Sequence, residues 1–175
     1  ERSIISVANT KMETFDFVVA TQDWHPADHM SFASQHASAS VGDLIQVDGL
    51  DQVLWPDHCV QKTKGAEFAA QLNTRAIHKV VRKGTDRLID SYSGFFDNAR
   101  RKSTELEDWL KSRNVESVHI LGLATDYCVK FTALDAIDLG FETTLLQSGC
   151  RGVELNTGDC DAALEEMKHH GVKIE

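Results

Sequence analysis

The sequence has little of several features that would place it in a special class of protein. It contains only 2 prolines in 175 residues. Its net charge is -9, and the sequence has no run of basic residues. This charge argues against nucleic acid as a partner and gives no support for binding an anionic membrane surface. No apolar run approaches the roughly 20 residues of a membrane-spanning helix, and the N-terminus does not resemble a secretory signal. With 42% hydrophobic and 26% charged residues, the composition is that of a soluble globular protein.

Cysteine is also scarce and forms no recognisable framework. The four cysteines, Cys59, Cys128, Cys150 and Cys160, are widely spaced, with no CxxC pair. A chain of this length can bury a sizeable core without disulfides, so we expect reduced thiols in the cytoplasm. The same spacing argues against a thiol redox protein, because it suggests no resolving cysteine. The length predicts a single domain over residues 1–175.

Short apolar segments alternate with helical patterns along the chain, which predicts an α/β fold with a largely parallel sheet. The strand candidates are 15–22, 76–83, 115–121, 141–147 and 171–174, and the helix candidates are 3–14, 103–111, 128–140 and 157–170. The stretch 26–64 shows no period of either kind, and we expect a long functional loop there. Ligands of such sheets bind at the carboxyl ends of strands. Asp23, Lys83 and the turn that leads to Cys128 each follow a predicted strand.

The turn before Cys128 is the strongest candidate for chemistry. Its sequence is Gly122-Leu123-Ala124-Thr125-Asp126-Tyr127-Cys128-Val129, at the point where an apolar strand becomes a helix. In the first turn of a helix, unpaired N–H groups and the helix dipole favour a thiolate, which is the nucleophilic form. The alternative is a small buried hydrophobic residue. Lys83 could hold a thiolate by its charge, or it could simply extend into solvent from the end of its strand.

A second group of side chains has the chemistry of metal ligands. Asp23, His25 and His58 offer one carboxylate and two imidazoles, a set that suits zinc, iron(II) or manganese with positions left open. His29 and His36 are further candidates. The alternative for each histidine is an ordinary hydrogen-bonded surface group, since the chain has 8 of them.

These residues belong to a series of motifs that follow one another along nearly the whole chain. They are Gln22-Asp23-Trp24-His25-Pro26, Trp55-Pro56-Asp57-His58-Cys59-Val60, Lys83-Gly84, Asp90-Ser91-Tyr92-Ser93-Gly94-Phe95, the turn of residues 122–129, and Gly149-Cys150-Arg151-Gly152-Val153. Together they resemble the nicotinamidases of the isochorismatase-like cysteine hydrolase superfamily. The wider superfamily shares the lysine and cysteine turns, and the aspartate–histidine…histidine motif narrows the resemblance to the nicotinamidases.

The resemblance implies a three-layer α/β/α domain that hydrolyses nicotinamide to nicotinate and ammonia in NAD salvage, with pyrazinamide as an alternative substrate. Cys128 would be the nucleophile that forms a thioester, and Lys83 would assist it. One divalent ion, with zinc favoured over iron and manganese, would be bound by Asp23, His25 and His58. In the family this ion holds the pyridine nitrogen and orients the ring.

The resemblance also implies the surroundings of the reacting groups. A cis peptide would precede Ala124, and the N–H groups of Ala124 and Cys128 would form the oxyanion hole. Trp55 and Tyr92 would flank the ring of the substrate. His29 would be either an additional ligand or a partner of a ligand. The sequence is compatible with a homo-oligomer but does not require one.

One departure from the family pattern affects what we expect of this chain. The family's catalytic triad includes an aspartate at the end of a first strand, upstream of the first helix, and this sequence begins at about that helix. We therefore expect a chain truncated at the N-terminus and short at the C-terminus. We expect it to lack the general base, a central strand and one aromatic wall, with two strand edges exposed. The alternatives are a pseudoenzyme that binds metal and ligand without turnover, and another amidase of the superfamily acting on a carbamoyl or ureido substrate.

Overall fold

Helices and strands alternate along the chain in the order that the hydrophobic pattern predicts. The computed structural model describes residues 2–175, and within them the helices are α1 (Arg2–Met12), α2 (Leu106–Lys111), α3 (Lys130–Asp138) and α4 (Asp159–His169). The strands are β1 (Val19–Asp23), β2 (Leu44–Val47), β3 (Leu50–Val53), β4 (Lys79–Lys83), β5 (Ser117–Leu123), β6 (Glu142–Arg151) and β7 (Lys173–Ile174). Over the same residues, no helix combines the length and apolar character that crossing a bilayer requires.

The parallel strands form two ladders. β1 pairs with β4 from Val19 opposite Lys79 to Asp23 opposite Lys83. β6 pairs in parallel with both β5 and β7. The predicted parallel pairing is confirmed, although in the described part of the chain β1 and β5 form no ladder with each other. Because β1 and β4 run in the same direction and in register, Asp23 and Lys83 end up side by side at their carboxyl ends.

Helices cover both faces of the second ladder. α1 lies against β5 and β6. Phe15, just beyond this helix, contacts His119 of β5 with tilted rings whose centroids are 4.8 Å apart. Successive side chains of a strand point to opposite faces, so the neighbouring Ile120 points to the other side. There it packs with Ala133 of α3 and Met167 of α4. The result is the helix–sheet–helix layering that the resemblance implies.

The stretch expected to be a long loop contains an antiparallel hairpin, β2 paired with β3. Its two-residue turn is Asp48-Gly49, with φ of 51° and 79°, and a turn of type I′ requires positive φ at both positions. The Asp-Gly pair was the signal available in the sequence. The hairpin escapes a periodicity test because its strands are short and largely solvent-exposed. Phe32 and Leu54, both fully buried, anchor this region to the rest of the protein.

Two leucines on strands separate the effect of burial from that of residue type. Leu145 on β6 has no solvent exposure, whereas Leu44 on β2 is 63% exposed. We expect Leu145→Ala to lower the free energy of unfolding by about 2–5 kcal/mol, because it removes buried surface and leaves a cavity. Leu44→Ala should change it by less than about 0.5 kcal/mol. Urea denaturation of both variants measures the difference, and equal effects would contradict this description of the core.

Candidate active site

Cys128 lies in a π-helical turn, Thr125–Val129, that joins β5 to α3. The carbonyl of Ala124 accepts hydrogen bonds from Tyr127 N–H at 3.1 Å and from Val129 N–H, five residues on, at 3.0 Å. Neither bond uses the N–H of Cys128. The Leu123–Ala124 peptide is cis, as the resemblance implies. Cys128 is therefore held in a wider turn than the first α-helical turn expected from the sequence.

The ammonium group of Lys83 connects the cysteine to the end of β1. Its Nζ lies 3.2 Å from Cys128 Sγ and donates a hydrogen bond to the Ser91 carbonyl at 2.7 Å. Asp23 Oδ1 lies 2.6 Å from the same nitrogen. This contact is a close ion pair without the angle of a directed hydrogen bond. Lys83 is only 4% exposed, so a buried cation is shared between a thiol and a carboxylate.

Burial is the largest single influence on the pKa of Cys128, of Lys83 and of Asp23. Loss of contact with water raises the pKa of the Cys128 thiol to about 11, while the charge of Lys83 acts in the opposite direction. Burial works against the charge of Lys83, but Cys128 and Asp23 outweigh it and raise the pKa of the lysine. Burial likewise opposes the charge of Asp23, and Lys83 nevertheless lowers the pKa of this carboxyl. Burial thus favours the neutral thiol and opposes the thiolate preference expected of a helix N-terminus.

The three predicted metal ligands meet beside this cation. The ligand atoms of Asp23, His25 and His58 all lie within 4.8 Å of one another. His25 Nδ1 lies 2.8 Å from the Gly84 carbonyl, and His58 Nδ1 lies 2.8 Å from the Pro56 carbonyl. A carbonyl can only accept a hydrogen bond, so each Nδ1 carries the proton and each Nε2 keeps its lone pair. One carboxylate and two such imidazoles fit a zinc, iron(II) or manganese ion with open positions.

Gly84 holds the His25 ring in place. It has a φ of +62°, and a Cβ at this position would lie 2.3 Å from His25 Cε1 and 2.6 Å from Nδ1. Glycine is the residue that permits both this backbone conformation and this close approach. The same residue also supplies the carbonyl that accepts from His25. Of two consecutive residues, Lys83 therefore contacts the cysteine and Gly84 contacts the predicted metal ligand His25.

A second set of ligand atoms shares His25. His25, His29 and Asp90 also have ligand atoms within 4.8 Å of one another, and all three side chains are buried. Burial lowers the pKa of both imidazoles, and the Asp90 carboxylate acts against that effect. The sequence analysis names Asp90 only as the first residue of a motif, because a carboxylate seven residues beyond Lys83 gives no sign of facing the histidines. His36 instead bonds to the Met30 carbonyl at 2.7 Å and, among the described residues, belongs to neither set.

Aromatic side chains form one wall of the site. Trp55 Nε1 donates a hydrogen bond to the Tyr92 hydroxyl at 3.3 Å. The Tyr127 ring contacts both, with centroid distances of 4.8 Å to Trp55 and 5.4 Å to Tyr92. Tyr127, the residue before the nucleophile candidate, was not expected in this wall. Its place follows from the π-turn, whose shape the sequence pattern does not predict.

Proteins of known function share both sequence and fold with this chain. The model of the isochorismatase domain matches residues 17–175. The chain belongs to the isochorismatase family. The nicotinamidase of Escherichia coli is 46% identical over 176 residues, which cover 98% of this chain and 82% of that protein. The solved structure of an Acinetobacter baumanii nicotinamidase/pyrazinamidase has a TM-score of 0.96 at 41% identity, covering 99% of this chain and 83% of the other. The pyrazinamidase of Pyrococcus horikoshii, solved in complex with zinc, has a TM-score of 0.78 at 37% identity and coverages of 99% and 85%.

In this isochorismatase-family chain, one aspartate of the cysteine turn has a structural position that the sequence did not reveal. Asp126 is buried and accepts hydrogen bonds from Val153 N–H at 3.0 Å and Glu154 N–H at 2.7 Å. It thereby ties the turn that carries Cys128 to the segment following β6. A buried aspartate two residues before the nucleophile candidate thus anchors the backbone, and no feature of the sequence distinguishes that role from a catalytic one.

The approach of Gly84 to His25 predicts a specific loss of metal binding. We expect Gly84→Ala to displace the His25 ring and to weaken zinc binding by at least about 100-fold, since the new methyl group would occupy the ring's position. Gly42→Ala is the matched control, because Gly42 has a φ of +93° and nothing within 4 Å of the added Cβ. It carries the same kind of backbone strain without the clash. Zinc titration of both variants by calorimetry distinguishes them, and equal zinc affinities would contradict the role given to Gly84.

The contact between Lys83 and Cys128 predicts the reactivity of the thiol. Replacing Lys83 with methionine should raise the pKa of Cys128 further, because burial is then no longer opposed by the cation. Each added pKa unit lowers the thiolate fraction at pH 9 about tenfold, and with it the rate of alkylation by iodoacetamide.

The control is Lys79→Met, at the other end of β4, where the lysine pairs with Glu105 at 3.1 Å. This variant should leave the alkylation rate of Cys128 unchanged. Rates for each cysteine come from mass spectrometry of quenched samples. Alkylation of Cys128 at the same rate in all three proteins would show that Lys83 does not influence the thiol.

Proposed function

We propose that this chain hydrolyses nicotinamide to nicotinate and ammonia, with Cys128 as the nucleophile. The observation that carries the proposal is the position of Lys83 Nζ, 3.2 Å from Cys128 Sγ and 2.6 Å from Asp23 of the metal donor set. The proposed nucleophile, the ammonium group that stabilises it and the proposed metal ligands thus occupy one site. The 46% identity to a nicotinamidase supports the choice of substrate.

In the first half of the reaction, Cys128 Sγ attacks the amide carbon and the C–N bond breaks. The thiol proton goes to the departing nitrogen, which leaves as ammonia, and the acyl group remains on sulfur as a thioester. The ammonium group of Lys83 stabilises the sulfur as it loses its proton. The N–H groups of Ala124 and Cys128 are the proposed donors to the carbonyl oxygen as it becomes negative.

In the second half, water attacks the thioester carbon and the C–S bond breaks. One proton of that water returns to Cys128 Sγ and the other passes to solvent, and nicotinate leaves with the water oxygen in its carboxylate. Lys83 again faces the sulfur when it departs as a thiolate, so the same cation serves both halves. Trp55, Tyr92 and Tyr127 would flank the ring and restrict its orientation.

The proposed metal ligands are Asp23, His25 and His58, and zinc is the proposed ion. The donor set supports this choice, because both imidazoles present an Nε2 lone pair and the carboxylate is ionised beside Lys83. The zinc complex of a pyrazinamidase 37% identical to this chain supports it independently. When bound, the ion supplies a Lewis acid that holds the pyridine nitrogen and thereby orients the substrate.

We also propose a cytoplasmic location. The support is the state of the cysteines, since Cys59, Cys128, Cys150 and Cys160 are all free thiols in the structure. A nucleophilic thiol needs a reducing compartment to remain available.

Release of ammonia from nicotinamide, measured with and without a chelator, tests the proposal. Cys128→Ala should reduce turnover to background while leaving the zinc content unchanged, because the sulfur and the metal have separate roles. Cys160→Ala, outside the site, is the control and should retain activity. Turnover by Cys128→Ala would contradict the thioester route. Metal and nicotinamide binding without turnover by the unaltered chain would favour a pseudoenzyme, and turnover of ureido substrates alone would favour another amidase.

A further inference from the structure

Three histidine rings meet at the metal site, and distance alone does not distinguish their roles. The His25 ring centroid lies 4.4 Å from that of His29 and 4.9 Å from that of His58. His29 is fully buried, and its Nε2 makes no hydrogen bond of standard geometry within the described residues. The Ile89 backbone nevertheless acts on the ring as a hydrogen-bond partner and raises the pKa of His29 against the effect of burial, which lowers it. A buried ring nitrogen without a standard hydrogen bond next to two candidate ligands invites the conclusion that it is a further ligand.

The backbone partner of Nδ1 gives a different answer. In His25 and His58 that partner is a carbonyl, which leaves Nε2 with a lone pair. In His29 the partner is the Ser31 N–H, which donates to Nδ1 at 3.2 Å. An amide N–H can only donate, so Nδ1 of His29 must hold the lone pair and Nε2 must carry the proton. The Ser31 hydroxyl, 2.7 Å from the same Nδ1, can donate as well and does not oppose this assignment.

Resting on the metal site of the proposed function, we propose that His29 is a fixed hydrogen-bond donor and not a metal ligand. The Asp90 carboxylate is the nearby side-chain acceptor for its Nε2–H. The ligand atoms of the two residues lie within 4.8 Å of each other.

The hydrogen bonds of Asp90 suit this role. One carboxylate oxygen, Oδ1, accepts from Ser91 N–H at 2.7 Å, which fixes the orientation of the group. The other oxygen, Oδ2, has only a long contact of 3.5 Å with Gln52 Nε2. This oxygen therefore retains the capacity to accept a hydrogen bond.

The same assignment excludes a second ion among His25, His29 and Asp90. His25 has one lone pair, on Nε2, and a metal held with Asp23 and His58 uses it. His29 contributes no lone pair toward Asp90, because its Nε2 is protonated. The protein thus offers three ligands at one position, which leaves coordination positions open as in catalytic metal sites.

Long-range ¹H–¹⁵N correlation spectra of the zinc-loaded protein read the tautomers directly. We expect Nδ1–H and a zinc-shifted Nε2 for His25 and His58, and Nε2–H with an unprotonated Nδ1 for His29. A zinc-shifted Nε2 of His29 would overturn the proposal. If the wild-type protein takes up no zinc, the metal part of the proposed function fails. The spectrum of the metal-free protein then decides the inference, Nε2–H supporting it and Nδ1–H overturning it.

Variants provide a second, independent readout. The side chain of glutamine can place an N–H donor where His29 has its Nε2, so His29→Gln should bind zinc within about threefold of wild type. It should also keep the cobalt(II) absorption spectrum of the wild type, whereas His29→Ala, which lacks the donor, should bind metal about tenfold more weakly. His25→Gln is the matched control and should lose at least about 100-fold in affinity. A loss in His29→Gln as large as that in His25→Gln, or a changed cobalt spectrum, would show that His29 is a ligand.

Discussion

The buried ammonium group of Lys83 is the interaction on which the rest of the site depends. A cation withdrawn from water is strongly unfavourable unless opposite charge and hydrogen bonds surround it. Here the surrounding groups are the Asp23 carboxylate, the Ser91 carbonyl and the sulfur of Cys128. Each of them comes from a different segment of the chain, so the charge can be satisfied only when β1, β4 and the π-turn are all in place. The lysine therefore makes the assembly of the site a condition of folding as well as of chemistry.

Much of the site could be predicted because it follows from sheet geometry. Asp23 and Lys83 are the last residues of β1 and β4, and Cys128 lies in the turn after β5. Parallel strands bring their carboxyl ends to one side of the sheet. Adjacent strands pair in register, which places Asp23 opposite Lys83 without any knowledge of side-chain packing. The roles implied by the resemblance, including the ligand set, agree with where these residues lie.

The remaining features depend on long-range packing or on local backbone shape, which residue spacing does not record. Asp90 and Tyr127 enter the site through an irregular segment and through a π-turn, neither of which has a period to detect. The pKa of Cys128 depends on how deeply the sulfur is removed from water, and position in a helix does not report that depth. The β2–β3 hairpin differs from these features, because the sequence did contain a signal for it. The Asp48-Gly49 pair is typical of a hairpin turn, but a search for alternating apolar residues does not detect it.

The adjacency of Lys83 and Gly84 has a mechanical consequence. The side chain of one residue reaches the nucleophile, and the carbonyl of the next holds His25. Consecutive Cα atoms across a trans peptide are separated by about 3.8 Å, a length that side-chain packing cannot stretch. The groups that contact Cys128 and His25 are therefore attached to backbone positions one peptide link apart. A shift at the carboxyl end of β4 would alter both contacts at the same time.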